Sequence, residues 1–158
     1  NLNVNKDKKI NIFKEKYKNI EEEFVLDYFN SSNFKQNFKL LIDLTSDTFI
    51  TKKQILVFFS ENQGVDIHFS TNSKISDFNN DFNTLHMKIR EDVFSYTLKN
   101  LMPWEDILIG FQVRIDREPN IYNTDFWYHF SNVYTKYNAS RIAKECNGCD
   151  LLKLSLVR

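Results

Sequence analysis

From Asp7 onward apolar side chains recur every three or four positions: Ile10, Phe13, Tyr17, Ile20, Phe24 and Tyr28, with Lys and Glu between them. That spacing places them on one stripe of an amphipathic helix, and Asn30-Ser31-Ser32 ends it. Residues 1–29 therefore read as a leading helix, with a frayed polar start, ahead of a core at 37–158. The stripe demands burial, against this domain or against a partner chain, because a helix of this length is marginal alone in water.

The pattern then changes. Residues 37–44 read as a strand. Ile55 to Phe59 is a continuous apolar run, consistent with a central strand buried on both faces. After the turn at Glu61-Asn62-Gln63-Gly64, residues 65–70 alternate. Val65, Ile67 and Phe69 take one face, and Asp66, His68 and Ser70 the other. Three antiparallel strands in sequence follow from this.

Ser76-Asp77 suits a helix cap, and Phe78, Phe82, Leu85, Ile89 and Val93 keep helical spacing toward Leu101. The rival pattern is a hairpin about Glu91-Asp92, since Leu85, Met87 and Ile89 alternate, as do Phe94, Tyr96 and Leu98. The helix is preferred. Pro103-Trp104-Glu105-Asp106 has first-turn chemistry, with Gly110 as a C′ candidate, and 107–116 alternates as a strand. Asn123-Thr124-Asp125 caps a last helix with the stripe Phe126, Phe130, Val133 and Tyr137. Gly148 stops it, and Leu152, Leu154 and Leu156 form a final strand.

The order α-β-β-β-α-β-α-β makes a single α+β domain with a mixed sheet. Its expected core is Phe38, Leu40, Ile42, Ile55, Val57, Phe59, Ile67, Phe126, Phe130 and Val133.

At 158 residues the chain can bury a core without staples. Lys+Arg and Asp+Glu both number 21, so bulk charge does not favour nucleic acid. The five-residue apolar run at 55–59 is far short of the ~20 needed to span a bilayer. With 19 asparagines, three glycines, two prolines and alanine only at 139 and 143, the composition suggests an AT-rich genome. The first residue is Asn, which suggests a processed form or an excised domain.

The same order of elements occurs in several catalytic folds. The acetyltransferase fold needs a Gly-containing loop after its third strand, and 70–80 has no Gly. Ribonuclease-H-like folds need converging carboxylates; Asp43 lies on the first strand, but no paired carboxylate is apparent on the later strand at 107–115. Restriction-nuclease-like folds use an acid followed by acid-x-Lys. Here Asp66-Ile67-His68 is acid-x-His, with Asp47 as an earlier acid. The enzymatic alternative is thus a small metal-dependent nuclease or other hydrolase using Asp43, Asp47, Asp66 and His68. Against it, side chains at i and i+2 of a strand stand ~6.5–7 Å apart, poor geometry for a triad.

Cys146 and Cys149 flank Asn147-Gly148, a turn signal, and no second Cys pair completes a zinc site. Asp125 and His129 sit four apart, an i,i+4 contact near a helix start. His86 carries no usable signal. Trp127, Tyr128, Trp104 and Tyr122 belong to the densest aromatic cluster, but 121–135 contains no Lys or Arg to match a nucleic acid. Asn30-Ser31-Ser32 and Asn138-Ala139-Ser140 fit the glycosylation pattern, a weak signal in so Asn-rich a chain. The favoured reading is a non-catalytic module that docks a protein partner through the first helix (Phe13, Tyr17, Ile20, Phe24) or an aromatic surface (Trp127, Tyr128). No metal or cofactor is expected.

Overall fold

The computed structural model describes residues 2–71 and 82–135. Helices α1 (Leu2–Tyr17) and α2 (Glu22–Ser31) lead into strands β1 (Phe38–Thr45), β2 (Thr51–Ser60), β3 (Gly64–Ser70) and β4 (Thr84–Arg90). Helices α3 (Glu91–Lys99) and α4 (Trp104–Ile109), strand β5 (Val113–Glu118) and helix α5 (Thr124–Tyr128) follow. A π-helical turn at His129–Val133 continues α5. The final strand, Cys146, Cys149, Asn138 and the Ser76-Asp77 cap lie outside the described residues.

The sheet is mixed, in the order β3-β2-β1-β4-β5. β1 runs antiparallel to β2 and parallel to β4, and β2–β3 and β4–β5 are antiparallel. The α+β class and the antiparallel β1-β2-β3 run stand as read. One sheet face carries Leu40, Ile42, Leu44, Ile55, Val57, Phe59, Leu85, Met87 and Ile89. Onto it pack Phe29 of α2, Phe94 and Leu98 of α3, Trp104 of α4, and Phe126 and Phe130 of α5 and its π turn. β1 is buried along its whole length, whereas β2 is buried on both faces at Ile55, Leu56 and Val57 and more open toward its start.

Several local expectations are corrected. The first helix is two helices, broken at 18–21. There the Asn19 carbonyl accepts from Ser95 Oγ and Lys99 Nζ, and Ile20 turns into the core. The helix over 76–101 and its rival hairpin each hold in part, since 84–90 is a strand and 91–99 a helix. The strand at 107–116 starts only at Val113, because α4 runs to Ile109.

Val133 is not core but 46% exposed. The π-helical turn adds residues to each turn, so Phe126 and Phe130 are followed inward by Tyr134 rather than Val133. Asn123 does cap α5, its Oδ1 accepting from the Phe126 amide at 2.9 Å.

Two helix ends close on left-handed residues other than glycine. A Schellman motif bonds the C″ amide to C3 and the C′ amide to C2, with C′ left-handed and usually Gly. At α4, Gln112 N donates to Ile107 O and Phe111 N to Leu108 O, so C′ is Phe111 at φ 52. Gly110 is therefore the C-cap at φ −76, not C′. At α3, Met102 N donates to Thr97 O and Leu101 N to Leu98 O, with Leu101 at φ 50. A side chain in this region costs roughly 1–2 kcal/mol.

Candidate functional site

The second sheet face mixes the buried Leu41 and Leu56 with polar side chains. Asp43 of β1 is buried at its centre. Its Oδ1 accepts from Gln54 Nε2 at 2.8 Å and its Oδ2 from Thr51 Oγ1 at 3.2 Å. His86 Nε2 of β4 lies 3.1 Å from Oδ2, close enough for an ion pair but off the line of a hydrogen bond. Burial pushes the Asp43 carboxyl up. The contact with His86, the Gln54 and Thr51 hydrogen bonds and the His86 charge outweigh burial and hold it below its usual value.

A carboxylate that orients an imidazole is half of an acid–base site. The other half is a nucleophile or a bound water on the imidazole. Among the described residues no hydroxyl or thiol joins the pair on His86.

The four residues of the hydrolase alternative do not come together. Asp47 is exposed in the β1–β2 loop and paired with Lys14 of α1. Asp66 and His68 lie on strand β3, two strands from Asp43 and offset along the sheet, so that by strand spacing and rise His68 is roughly 12 Å and Asp66 roughly 17 Å away. His68 leans along its strand, so His68 Nε2 and Asp66 Oδ2 are 2.9 Å apart despite their i,i+2 spacing, and both are exposed. The His68 ring also meets Phe58 edge-on. Among the described residues no group of three His, Cys, Asp or Glu side chains is placed to hold a metal ion. Sequence reasoning missed His86. Its signal is the alternation of Thr84, His86 and Lys88 on a strand whose neighbour could be known only from the fold.

Asp125 and His129 do not meet as an i,i+4 pair. Asp125 Oδ2 accepts from Gln36 Nε2 at 2.7 Å, and His129 Nε2 is 2.6 Å from the Ser32 carbonyl. Burial lowers the His129 pKa, and the bond to Ser32 only partly offsets this. In the Asn30 glycosylation pattern, the Ser32 hydroxyl is buried and donates to Phe29 O.

Most residues expected to dock a partner are used internally. Tyr17 is buried edge-on against Tyr96, with Phe13 packed on both rings. Ile20 is in the core. Trp127 is buried and stacked on Tyr122, with ring centres 6.3 Å apart. Only Tyr128 and Phe24 of that set remain exposed. Among the described residues the largest apolar exposure is elsewhere, at the α4–β5 corner, where Phe111 is 91% and Ile109 75% exposed.

At the carboxyl ends of β1 and β4 a cleft of about 320 Å³ opens beneath α1. It is lined by Lys14, Lys18, Ser46, Asp47, Thr48, Lys52, Glu91 and Asp92, among others. No helix of the described residues is long and apolar enough to cross a membrane.

No protein-family model and no solved structure matches the chain. Over 44 residues it is 46% identical to the cytidine monophosphate-N-acetylneuraminic acid hydroxylase of Sus scrofa, covering 28% of this chain and 10% of that protein. Over 41 residues it is 51% identical to the Mus musculus protein of the same name, covering 26% and 7%. The human protein, named as the inactive form, is 46% identical over 41 residues, covering 26% and 8%. The matched stretch is thus a tenth or less of the length of these curated relatives.

Proposed function

We propose that this chain is a non-catalytic docking module whose α4–β5 corner, Ile109 and Phe111, seats in an apolar pocket of a partner protein. One observation carries the reading: Phe111 is almost wholly exposed and sits at a cap position whose backbone favours glycine. A large aromatic residue gains no packing there and costs backbone strain. Strain kept at an exposed residue points to a use outside the folding of the domain. Aromatic anchors of this kind are enriched at the energetic centres of interfaces.

The test compares the wild-type chain with Phe111→Gly in complexes recovered from the native source, using native mass spectrometry and an unfolding curve. The variant should be more stable by roughly 0.5–1 kcal/mol, because glycine relieves the left-handed strain and returns part of that gain as unfolded-chain entropy. The same variant should drop out of the complex. Full retention of the complex by a stabilised Phe111→Gly chain would sink the reading.

The hydrolase alternative draws one favourable feature from the Asp43–His86 pair. Without a nucleophile on His86 or a metal-ligand group among the described residues, it is the weaker reading.

A further inference from the structure

The cleft at the carboxyl ends of β1 and β4 lies where the strand order reverses. β1 leads on to β2 at one side, while its parallel neighbour β4 leads through α3 and α4 to β5 at the other. In open sheets with parallel strands, crevices at such reversals are where ligands bind. At about 320 Å³ it is of small-ligand size.

Its charges sort into two groups. On one wall Glu91 Oε1 is 2.9 Å from Lys53 Nζ. Asp92 Oδ1 is 3.3 Å from Arg90 Nε and also accepts from the Val93 amide. Each acid thus has a cation beside it, although Asp92 Oδ2 is buried without a hydrogen-bond partner among the described residues. What remains is Lys14, Lys18 and Lys52 against the single carboxylate of Asp47. Lys18 has only an exposed i,i+3 partner, Glu15, which holds it weakly. Lys14 pairs with Asp47. Its hydrogen bond, together with the fields of Lys14, Arg90 and Lys52, keeps the Asp47 carboxyl below its usual value despite slight burial. The hydroxyls of Ser46 and Thr48, 3.0 Å apart, complete the lining.

We propose that this cleft binds a small organic phosphate, with Lys14, Lys18 and Lys52 as its cationic contacts and Asp47 as an internal anion that the phosphate displaces. A phosphate monoester suits the set better than a carboxylate. It carries close to two charges at neutral pH and three strong acceptor oxygens. Lysine serves such groups as a point charge. The site is independent of the α4–β5 corner, so it stands or falls separately from the docking reading.

The test is calorimetric titration of the full chain with inorganic phosphate, with acetate as the control anion. Saturable phosphate binding should weaken about tenfold in the double variant K14A/K52A, the loss of roughly one charge-assisted hydrogen bond. K8A, on the same helix but outside the cleft, should bind as wild type does. Asp47→Asn removes the competing anion and should tighten binding about threefold, with the hydroxyls and lysines unchanged. Phosphate that binds no better than acetate, or an Asp47→Asn chain that binds phosphate as weakly as wild type or more weakly, overturns the proposal.

Discussion

Asp43 and His86 meet across the parallel pairing of β1 with β4, with His86 Nε2 3.1 Å from Asp43 Oδ2 and the carboxylate steadied by Gln54 and Thr51. The Asp43 carboxyl is held below its usual value in the folded state. Its stabilising contribution is therefore complete above about pH 4, the unfolded value, and is lost as pH falls through the folded value. Asp43→Asn should cost about 1–3 kcal/mol at neutral pH, as His86, Thr51 and Gln54 lose a charged partner. It should also flatten the acid limb of stability below about pH 4. Urea unfolding across that range measures both. Parallel curves for variant and wild type would mean the pair does not exist in solution.

His129 acts in a different window. Burial lowers its pKa, so the unfolded chain takes up a proton first as pH falls. Stability is full above about pH 6.5 and declines as pH drops through that value toward the lower folded one. His129→Gln keeps a donor for the Ser32 carbonyl and cannot titrate, so the decline between about pH 7 and 5 should shrink. An unchanged slope there would place the titrating group elsewhere.

Phe130 and Val133 separate the two ways of reading the last helix. Ordinary 3.6-residue spacing puts both inside, whereas the π-helical turn leaves Phe130 fully buried and turns Val133 outward. Phe130→Ala should cost roughly 3–5 kcal/mol. Val133→Ala should stay within about 0.5 kcal/mol. Thermal melts of the pair decide it, and a large loss at Val133 would restore the regular helix.

How far the fold was legible follows from the same kind of cause. β1 to β3 could be read because alternation and apolar runs are local signals, and the capping of α5 by Asn123 is local too. The break at Asn19 could not, because its carbonyl is satisfied by Ser95 and Lys99, some 80 positions away. Leu85 to Val93 kept a period that fits either element, and only the placement of β4 beside β1 resolves it. A helical wheel places Trp127 on an outer surface because it does not show that Tyr122, from the preceding loop, covers it. Asp43 was legible as a candidate, while His86 became one only through that same parallel pairing.

Leu101 and Phe111 share a cap geometry but not an environment. Both are left-handed C′ residues, yet Leu101 packs on the core while Phe111 points into solvent. Glycine relieves the same strain at each site. At 111 no packing is lost, so stability should rise. At 101 the lost burial should cancel the relief or exceed it, leaving Leu101→Gly between neutral and about 1 kcal/mol destabilised. Opposite shifts in urea midpoint are expected, and a stabilised Leu101→Gly would mean that its side chain contributes nothing to the core.

Trp104 and Tyr28 test whether the aromatic core is held by shape alone. Trp104 is fully buried, and its Nε1 donates to the Tyr28 hydroxyl at 2.8 Å. The two rings are stacked with centres 6.5 Å apart. Burial drives the Tyr28 hydroxyl far above its usual pKa, the Trp104 bond opposing it only in part, so it stays neutral and accepts that bond at any ordinary pH. Tyr28→Phe leaves the indole N–H buried without an acceptor and should cost about 1–3 kcal/mol. Trp104→Phe removes both the donor and ring volume and should cost about 2–4 kcal/mol. The double variant has no orphaned polar group, so its loss should fall short of the sum by about 1 kcal/mol. Strict additivity in chemical denaturation would show that the bond contributes nothing and that ring packing alone fixes α2 against α4.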